Sequence, residues 1–251
     1  MSGRGAKPAG THDEEGAALA VQSMFDSIAP RYDLLNHVLS FNIDRLWWRR
    51  TARRFKAVLA RPEAVAVDVC CGTGDMTMAL LRLRPRATTE GLAQPVIAVD
   101  FSHRMLVRGD AKMRAYGGIA IEADALHLPL RSGSVDLLTT AFGFRNLANY
   151  GAGLAEFHRV LGSGGELGIL DFSEPGGWLG RLYAFYFRRV LPAIGSRISG
   201  VSGPYAYLPT SVERFPPPAE MIERLRAAGF RDVSWTPYSF GIAGLYRAVK
   251  G

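Results

Sequence analysis

The sequence predicts an α/β protein with one mostly parallel sheet and helices on both of its faces, and three observations carry that prediction. Short apolar runs alternate with helix-periodic segments from residue 65 onward. The run Val65 to Asp75, Val-Ala-Val-Asp-Val-Cys-Cys-Gly-Thr-Gly-Asp, passes from an apolar stretch through Gly72 and Gly74 into a segment whose Met76, Ala79, Leu80 and Leu83 share a helical face. That is a strand, a tight turn and a helix, the opening unit of such a sheet. The chain closes on helix, strand, strand, which makes seven strands with an antiparallel last one.

The opening turn is the first candidate site. Glycine suits a backbone that takes unusual dihedrals or lies against a ligand. A dinucleotide fingerprint needs a third glycine at position 77, where this chain has Thr77, and Asp75 at the helix start would repel a pyrophosphate. A cationic or zwitterionic ligand fits better. S-adenosylmethionine is such a ligand: its amino-acid tail would meet backbone N–H groups around Gly72 and Gly74 together with Asp68, and its ribose an acid further on. A nucleotide-binding turn and a purely structural turn stay open as alternatives.

The 251 residues suit one large domain, expected over residues 16–251 behind a disordered, Gly-, Pro- and charge-rich tail at 1–15. Hydrophobic residues make up 48%, enough for a full core, yet no apolar run is long enough to span a bilayer. The net charge of +7 raises nucleic acid or an anionic membrane as partners. Only Lys7, Lys56, Lys112 and Lys250 are lysines, so the excess is scattered arginine, for which base-composition bias is the plain explanation. Adjacent Cys70 and Cys71 cannot comfortably pair, which suits a reducing cytoplasm and small buried side chains. The tail resembles neither a signal peptide nor a transit peptide.

In chain order, residues 17–28 read as an amphipathic helix stopping before Pro30, and residues 31–50, rich in aromatics and arginine, as the rest of an N-terminal helical cap over 16–60. Tyr32 is the cap residue expected to reach the ligand. A loop at 82–95 leads to a second strand, 96–100. Asp100 ends it at a spacing from the turn that suits ribose hydroxyls, or else caps the helix starting at Ser102. A helix carries Met105 and Leu106, and the third strand, 119–123, ends at Asp124-Ala125, where an acid can accept an adenine amino group and alanine leaves room for the ring. His127 follows in a loop and reads as a surface residue before it reads as a base. The fourth strand, 135–141, runs into Phe142-Gly-Phe-Arg145-Asn146-Leu147, placing a guanidinium and an amide at the carboxyl end of a central strand. These groups could hold a phenolate or organise a water; alternatively Arg145 pairs with an acid and Asn146 caps the next helix. A helix at 151–161, a turn at Ser163 to Gly165 and a fifth strand at 166–172 come next. An insertion spans 176–217: its residues 178–191 suit a lid, an anionic membrane surface or a packed helix, and its Gly-, Ser- and Pro-rich part shapes a substrate entrance. A helix at 219–228 and strands at 233–238 and 243–249 finish the chain.

From about Phe25 to Lys250 the chain resembles the ubiquinone/menaquinone biosynthesis C-methyltransferases, the demethylmenaquinone and polyprenyl-benzoquinol methylases. The resemblance rests on Tyr32-Asp33 with Asn36, Ser40 and Trp47; on Asp68 to Asp75; on Phe142-Gly-x-Arg145-Asn146; on Arg159-Val-Leu, Gly164-Gly165 and Asp171-Phe-Ser173; on Tyr207-Leu, Ser211 and Phe215-Pro216; and on Ala228-Gly-Phe230. It implies a seven-stranded, Rossmann-like class I S-adenosylmethionine-dependent methyltransferase sheet and isoprenoid quinol acceptors. It also implies donor contacts at Thr73, Asp100, Asp124 and Ala125, and chemistry at Arg145 and Asn146 with Tyr32 helping. Asp44, Asn42, Gly162-Ser163, Asp171 and Ala141 depart from common family residues, which bears on acceptor choice and not on the donor.

On this reading the sulfonium methyl passes in line to a ring carbon of a reduced quinone, with Arg145 stabilising a developing phenolate or holding a water. A guanidinium keeps its proton, so Arg145 is not expected to act alone as the base, and water held by Arg145 or His127 takes the ring proton. No metal-ligand cluster appears. The rivals are a methyltransferase of the same fold acting on a small phenol or amine, and a noncatalytic scaffold of a quinone-pathway complex; a nucleic-acid binder ranks last. A homodimer and contact with the inner face of the cell membrane stay open.

Overall fold

The computed structural model describes residues 5–8, 10–29, 42–85, 93–175 and 203–251. Its elements in order are α1 (Glu14–Ile28), α2 (Ile43–Arg54), α3 (Lys56–Leu59), β1 (Ala66–Val69), α4 (Asp75–Leu81), β2 (Val96–Asp100), α5 (His103–Arg114), β3 (Gly118–Glu122), β4 (Val135–Ala141), α6 (Tyr150–Val160), β5 (Leu161–Phe172), α7 (Gly203–Arg214), α8 (Pro218–Ala227), β6 (Phe230–Tyr238) and β7 (Ala243–Lys250). The seven strands lie in the order β3-β2-β1-β4-β5-β7-β6. β1 to β5 run parallel, and β7 runs antiparallel between β5 and β6.

Strand alternation sorts the side chains into two layers. Ala66, Leu137, Leu170 and Leu245 face a core built with Trp47, Phe55, Leu59, Met76 and Leu80 from α2 to α4. Their neighbours Val67, Leu138, Ile169 and Tyr246 face the opposite core with Phe144, Tyr150, Leu154 and Phe157. Covering on both faces explains why these strands read as continuous apolar runs.

Asp68 interrupts one of those runs. It is fully buried, accepts a hydrogen bond from Thr77 Oγ1 of α4 at 2.7 Å, and accepts another from Thr139 Oγ1, its register partner on β4, at 2.9 Å. Thr77 stands where a dinucleotide fingerprint would put its third glycine, and its hydroxyl is what that position contributes instead. One carboxyl thereby ties β1, β4 and α4 together at the point where the strand order reverses.

Several boundaries differ from expectation. α1 starts at Glu14, inside the stretch expected to be a disordered tail, because Asp13 caps it by accepting from Gly16 N at 2.7 Å and Glu14 and Glu15 sit favourably in its first turn. Ahead of it, Ala6 is buried and its N–H donates to Leu147 O at 2.8 Å. The turn expected at Ser163 to Gly165 is an irregularity inside a longer β5, where Leu161 pairs with Val135 and Glu166 with Leu137. The Gly-, Ser- and Pro-rich end of the insertion is helix α7, with Pro209 inside it and Ser211 and Val212 buried. Tyr32 and the segment 178–191 lie outside the described residues.

Burial pushes the Asp68 carboxyl up from its ordinary value of 3.8 to about 7, against the two threonine hydroxyls that favour its ionised form. A carboxyl that holds its proton more tightly when folded stabilises the fold below its unfolded pKa and loses that contribution as pH rises to its folded one. We expect Asp68→Asn, which keeps the shape without the charge, to gain Tm relative to the wild type between pH 4 and about 7. Parallel thermal melts across that window check it; curves that stay a constant distance apart would show that Asp68 titrates normally.

Candidate active site

A cavity opens over the carboxyl ends of β1, β2 and β4, where the strand order reverses. It holds about 810 Å³ of empty space, mouth included. Its floor is the β1 turn. Cys70 at φ 56°, Gly72 at φ 56° and Gly74 at φ 88° are left-handed, which swings the chain off the strand and into α4. A Cβ on Gly74 would lie 2.3 Å from Met113 Sδ, so that position is closed to larger residues by contact as well as by backbone. Burial pushes the Cys70 and Cys71 thiols up, which makes both poor nucleophiles.

Asp100 stands beside this turn. Its Oδ2 accepts from Gly72 N at 2.7 Å and its Oδ1 from Ser102 N at 2.8 Å. A carboxylate has roughly four acceptor sites, so acceptor capacity remains for a ligand. Burial raises its pKa, opposed by those backbone amides. The expected cap at Ser102 is made by Ser102 itself, whose Oγ accepts from Met105 N. Asp124 lines the next wall with Ala125 and accepts from Leu126 N at 2.9 Å. His127 lies 3.5 Å from Asp124 Oδ2 with its side chain 85% exposed, outside the cavity lining.

Helix α1 closes the side over β2. Ala18, Val21 and Phe25 line the cavity, Gln22 Nε2 donates to Phe101 O at 2.8 Å, and Ser102 Oγ donates to Asp26 Oδ1. Sequence reasoning placed a cap here but missed Gln22 and Asp26, whose one signal is that they are polar residues flanking the apolar stripe of α1.

The β4 end supplies the third wall. Phe142, left-handed at φ 57°, and Gly143 lead into a 3-10 turn, Phe144–Asn146. Gly143 packs on Cys70: a Cβ there would sit 2.3 Å from Cys70 Cβ. Asn146 lines the cavity, its Nδ2 donates to Phe142 O at 3.4 Å, and its buried Oδ1 has no partner among the described residues. It does not cap the next helix; Asn149 does, accepting from Ala152 N at 3.0 Å. Arg145 points the other way. Its Nη1 donates to Asp171 Oδ1 at 2.9 Å and to Phe142 O, its backbone N–H donates to Asp171 Oδ2 at 3.1 Å, and its Cζ lies 5.2 Å from the centre of the Phe172 ring. Burial pushes the Asp171 carboxyl up while the Arg145 guanidinium opposes that shift. Asp68, Thr73, Gly74 and Arg145 are therefore buried around the cavity and absent from its lining, whereas Gly72, Asp100, Asp124, Ala125 and Asn146 form part of it.

Removing one member of a buried ion pair strands the other charge. We expect Asp171→Ala to destabilise the fold by about 3–5 kcal/mol, and Asp171→Leu combined with Arg145→Met to recover most of that loss. Urea melts of the single and double variants check this; a mild single-variant effect would mean that the pair contributes little to the turn.

Residues 11–250 match the ubiE/COQ5 methyltransferase family. The demethylmenaquinone methyltransferase of Deinococcus radiodurans is 42% identical over 253 residues, covering all of both chains. That of Thermus thermophilus is 42% identical over 89% of this chain and 98% of its own. The ubiquinone/menaquinone biosynthesis C-methyltransferase UbiE of Geobacter sulfurreducens is 39% identical over 92% of this chain and 88% of its own. Among solved structures, a SAM-dependent methyltransferase from Thermotoga maritima superposes with a TM-score of 0.63 at 19% identity, covering 91% of this chain and 99% of its own. One from Aquifex aeolicus gives 0.56 at 18% identity, over 80% and 89%. With its seven-stranded sheet and the cavity at the strand-order reversal, the chain belongs to the ubiE/COQ5 methyltransferase family.

Proposed function

We propose that the cavity takes S-adenosylmethionine and that the chain directs its methyl group to a ring carbon of a demethylated isoprenoid quinol. One observation supports the donor above others: among the described residues the lining carries two carboxylates, Asp100 and Asp124, and no lysine, arginine or histidine. A pyrophosphate would meet no cation among these described residues, whereas a sulfonium nucleoside with hydroxyl and amino donors matches a wall of acceptors. The names of the relatives support the quinol acceptor.

The donor, when bound, supplies an electrophilic methyl group; the rest falls to the chain. Asp100 and Asp124 are the residues to hold it, with Gly72 and Ala125 leaving room. Thr73 and Gly74 shape the turn from behind, and Asp68 holds that turn to the sheet without touching a ligand. Asn146 is the residue to meet the acceptor: its unpartnered Oδ1 can accept a hydrogen bond from a ring hydroxyl, or from a water that removes the ring proton. An amide oxygen is too weak a base to take the proton itself, so its role is orientation. Arg145, paired with Asp171, fixes the turn that aims Asn146. Tyr32 would act from the cap.

Two outcomes test this. Asp100→Asn is expected to weaken donor binding about tenfold to a hundredfold by calorimetry, the range for a hydrogen bond to a charged group. Wild-type affinity should fall as pH drops toward the raised Asp100 pKa, and the variant should lack that slope. Asn146→Ala is expected to leave donor affinity within a few-fold and to slow methyl transfer about a hundredfold. Transfer is read with labelled donor on reduced, demethylated naphthoquinols and benzoquinols. Donor binding without turnover on any quinol would remove the acceptor assignment, and capture of NAD in place of the sulfonium nucleoside would remove the donor.

A further inference from the structure

Helix α2 turns a conventional face inward and an unusual one outward. Asp44, Trp47, Trp48, Thr51 and Ala52 are buried. Leu46, 60% exposed, stands in the middle of the outer face, with Arg49 and Arg50 one turn on and Arg53 two turns on. Ile43, Arg45 and Arg54 complete that face, so each exposed position of α2 is arginine or a large aliphatic residue. Scattered arginine does not account for this. Elsewhere several arginines close onto carboxylates, as in Arg61 with Asp136, Arg114 with Asp110 and Arg226 with Glu223; the ones unpaired among the described residues, Arg82, Arg104, Arg131 and Arg231, are spread over separate elements and not gathered on one face. On α2 the one acid, Asp44, is buried, and Arg45, Arg49, Arg53 and Arg54 have no carboxylate partner among the described residues.

A second feature adjoins this face. Trp47 Nε1 donates to Ser239 Oγ at 2.9 Å, and the Arg50 guanidinium carbon lies 4.5 Å from the centre of the Tyr238 ring, so the turn Ser239–Gly241 runs beside α2. In that turn Ser239 and Phe240 are left-handed, at φ 45° and 59°, and Phe240 is 83% exposed. Such a backbone is unfavourable for a bulky residue, and a ring held in water returns nothing to the fold.

We propose that α2 and the Phe240 turn form a docking surface for an anionic lipid bilayer. Phe240, Leu46 and Ile43 enter the acyl boundary while the arginine forks bind lipid phosphates. The charge complementarity is specific in kind: unpaired cations around apolar tips match a surface that is anionic outside and apolar beneath. The surface also lies close to the cavity, since the Trp47 ring centroid is 5.8 Å from that of Phe142, which lines it. A bilayer-borne acceptor would thus enter one side-chain layer from the site, a consequence that rests on the quinol reading above.

The test is flotation of the full chain with vesicles of phosphatidylcholine, alone or mixed with phosphatidylglycerol, with no substrate present, so that failure here leaves methyl transfer standing. Binding is expected only to the mixed vesicles and should weaken as salt is raised. Phe240→Gly should weaken it about tenfold while raising Tm, because glycine relieves the left-handed backbone. Arg49→Ala with Arg53→Ala should weaken it on the order of 30-fold at low salt. Equal binding to both vesicle types, or insensitivity to these substitutions, overturns the proposal. So does a dimer in solution, or a complex with duplex DNA, that the same substitutions abolish while vesicle binding is absent.

Discussion

The open edge of the sheet depends on the carboxyl of Asp68. It joins β1 to its neighbour β4 at the point where the strand order reverses and the cavity opens over their carboxyl ends, and it is held from both sides by the hydroxyls of Thr77 and Thr139. A buried polar network is stabilising only when its members are satisfied, and these three side chains satisfy one another within a single layer. The turn carrying Gly72 and Gly74 is anchored behind by this contact and in front by Asp100, which accepts the Gly72 N–H. Two acids thus grip one turn, the first wholly inside the protein and the second facing the cavity.

A similar division of labour occurs at the β4 end. Asp171 receives both the guanidinium and the backbone N–H of Arg145, and Phe142 O receives Arg145 Nη1 and Asn146 Nδ2. The charged pair sits beneath the turn, and the neutral amide stands at the cavity wall. Keeping the guanidinium off the wall leaves the described part of the lining without a cation.

Much of this was legible in the chain. The strand, turn and helix around Gly72 and Gly74, the acids closing β2 and β3, and the antiparallel end all follow from periodicity and punctuation, because buried parallel strands and tight turns constrain residue type strongly. The direction in which Arg145 and Asn146 point was not legible. Adjacent residues in a 3-10 turn face different ways, and only the position of Asp171, a residue far away in sequence, decides which side chain is drawn inward. The start of α1 was hidden for a different reason: Asp13, Glu14 and Glu15 look alike as solubilising charge and as the cap and first turn of a helix. The helix α7 was masked by Gly203, Pro204 and Pro209, residues that locally oppose the structure its buried Ser211 and Val212 support.

The contact of Gly143 with Cys70 makes the β1 and β4 walls of the cavity mechanically inseparable. Two left-handed strand ends lean on each other there, so neither loop can shift unless the other gives way. Whatever tightens the first loop narrows the positions open to the amide on the second.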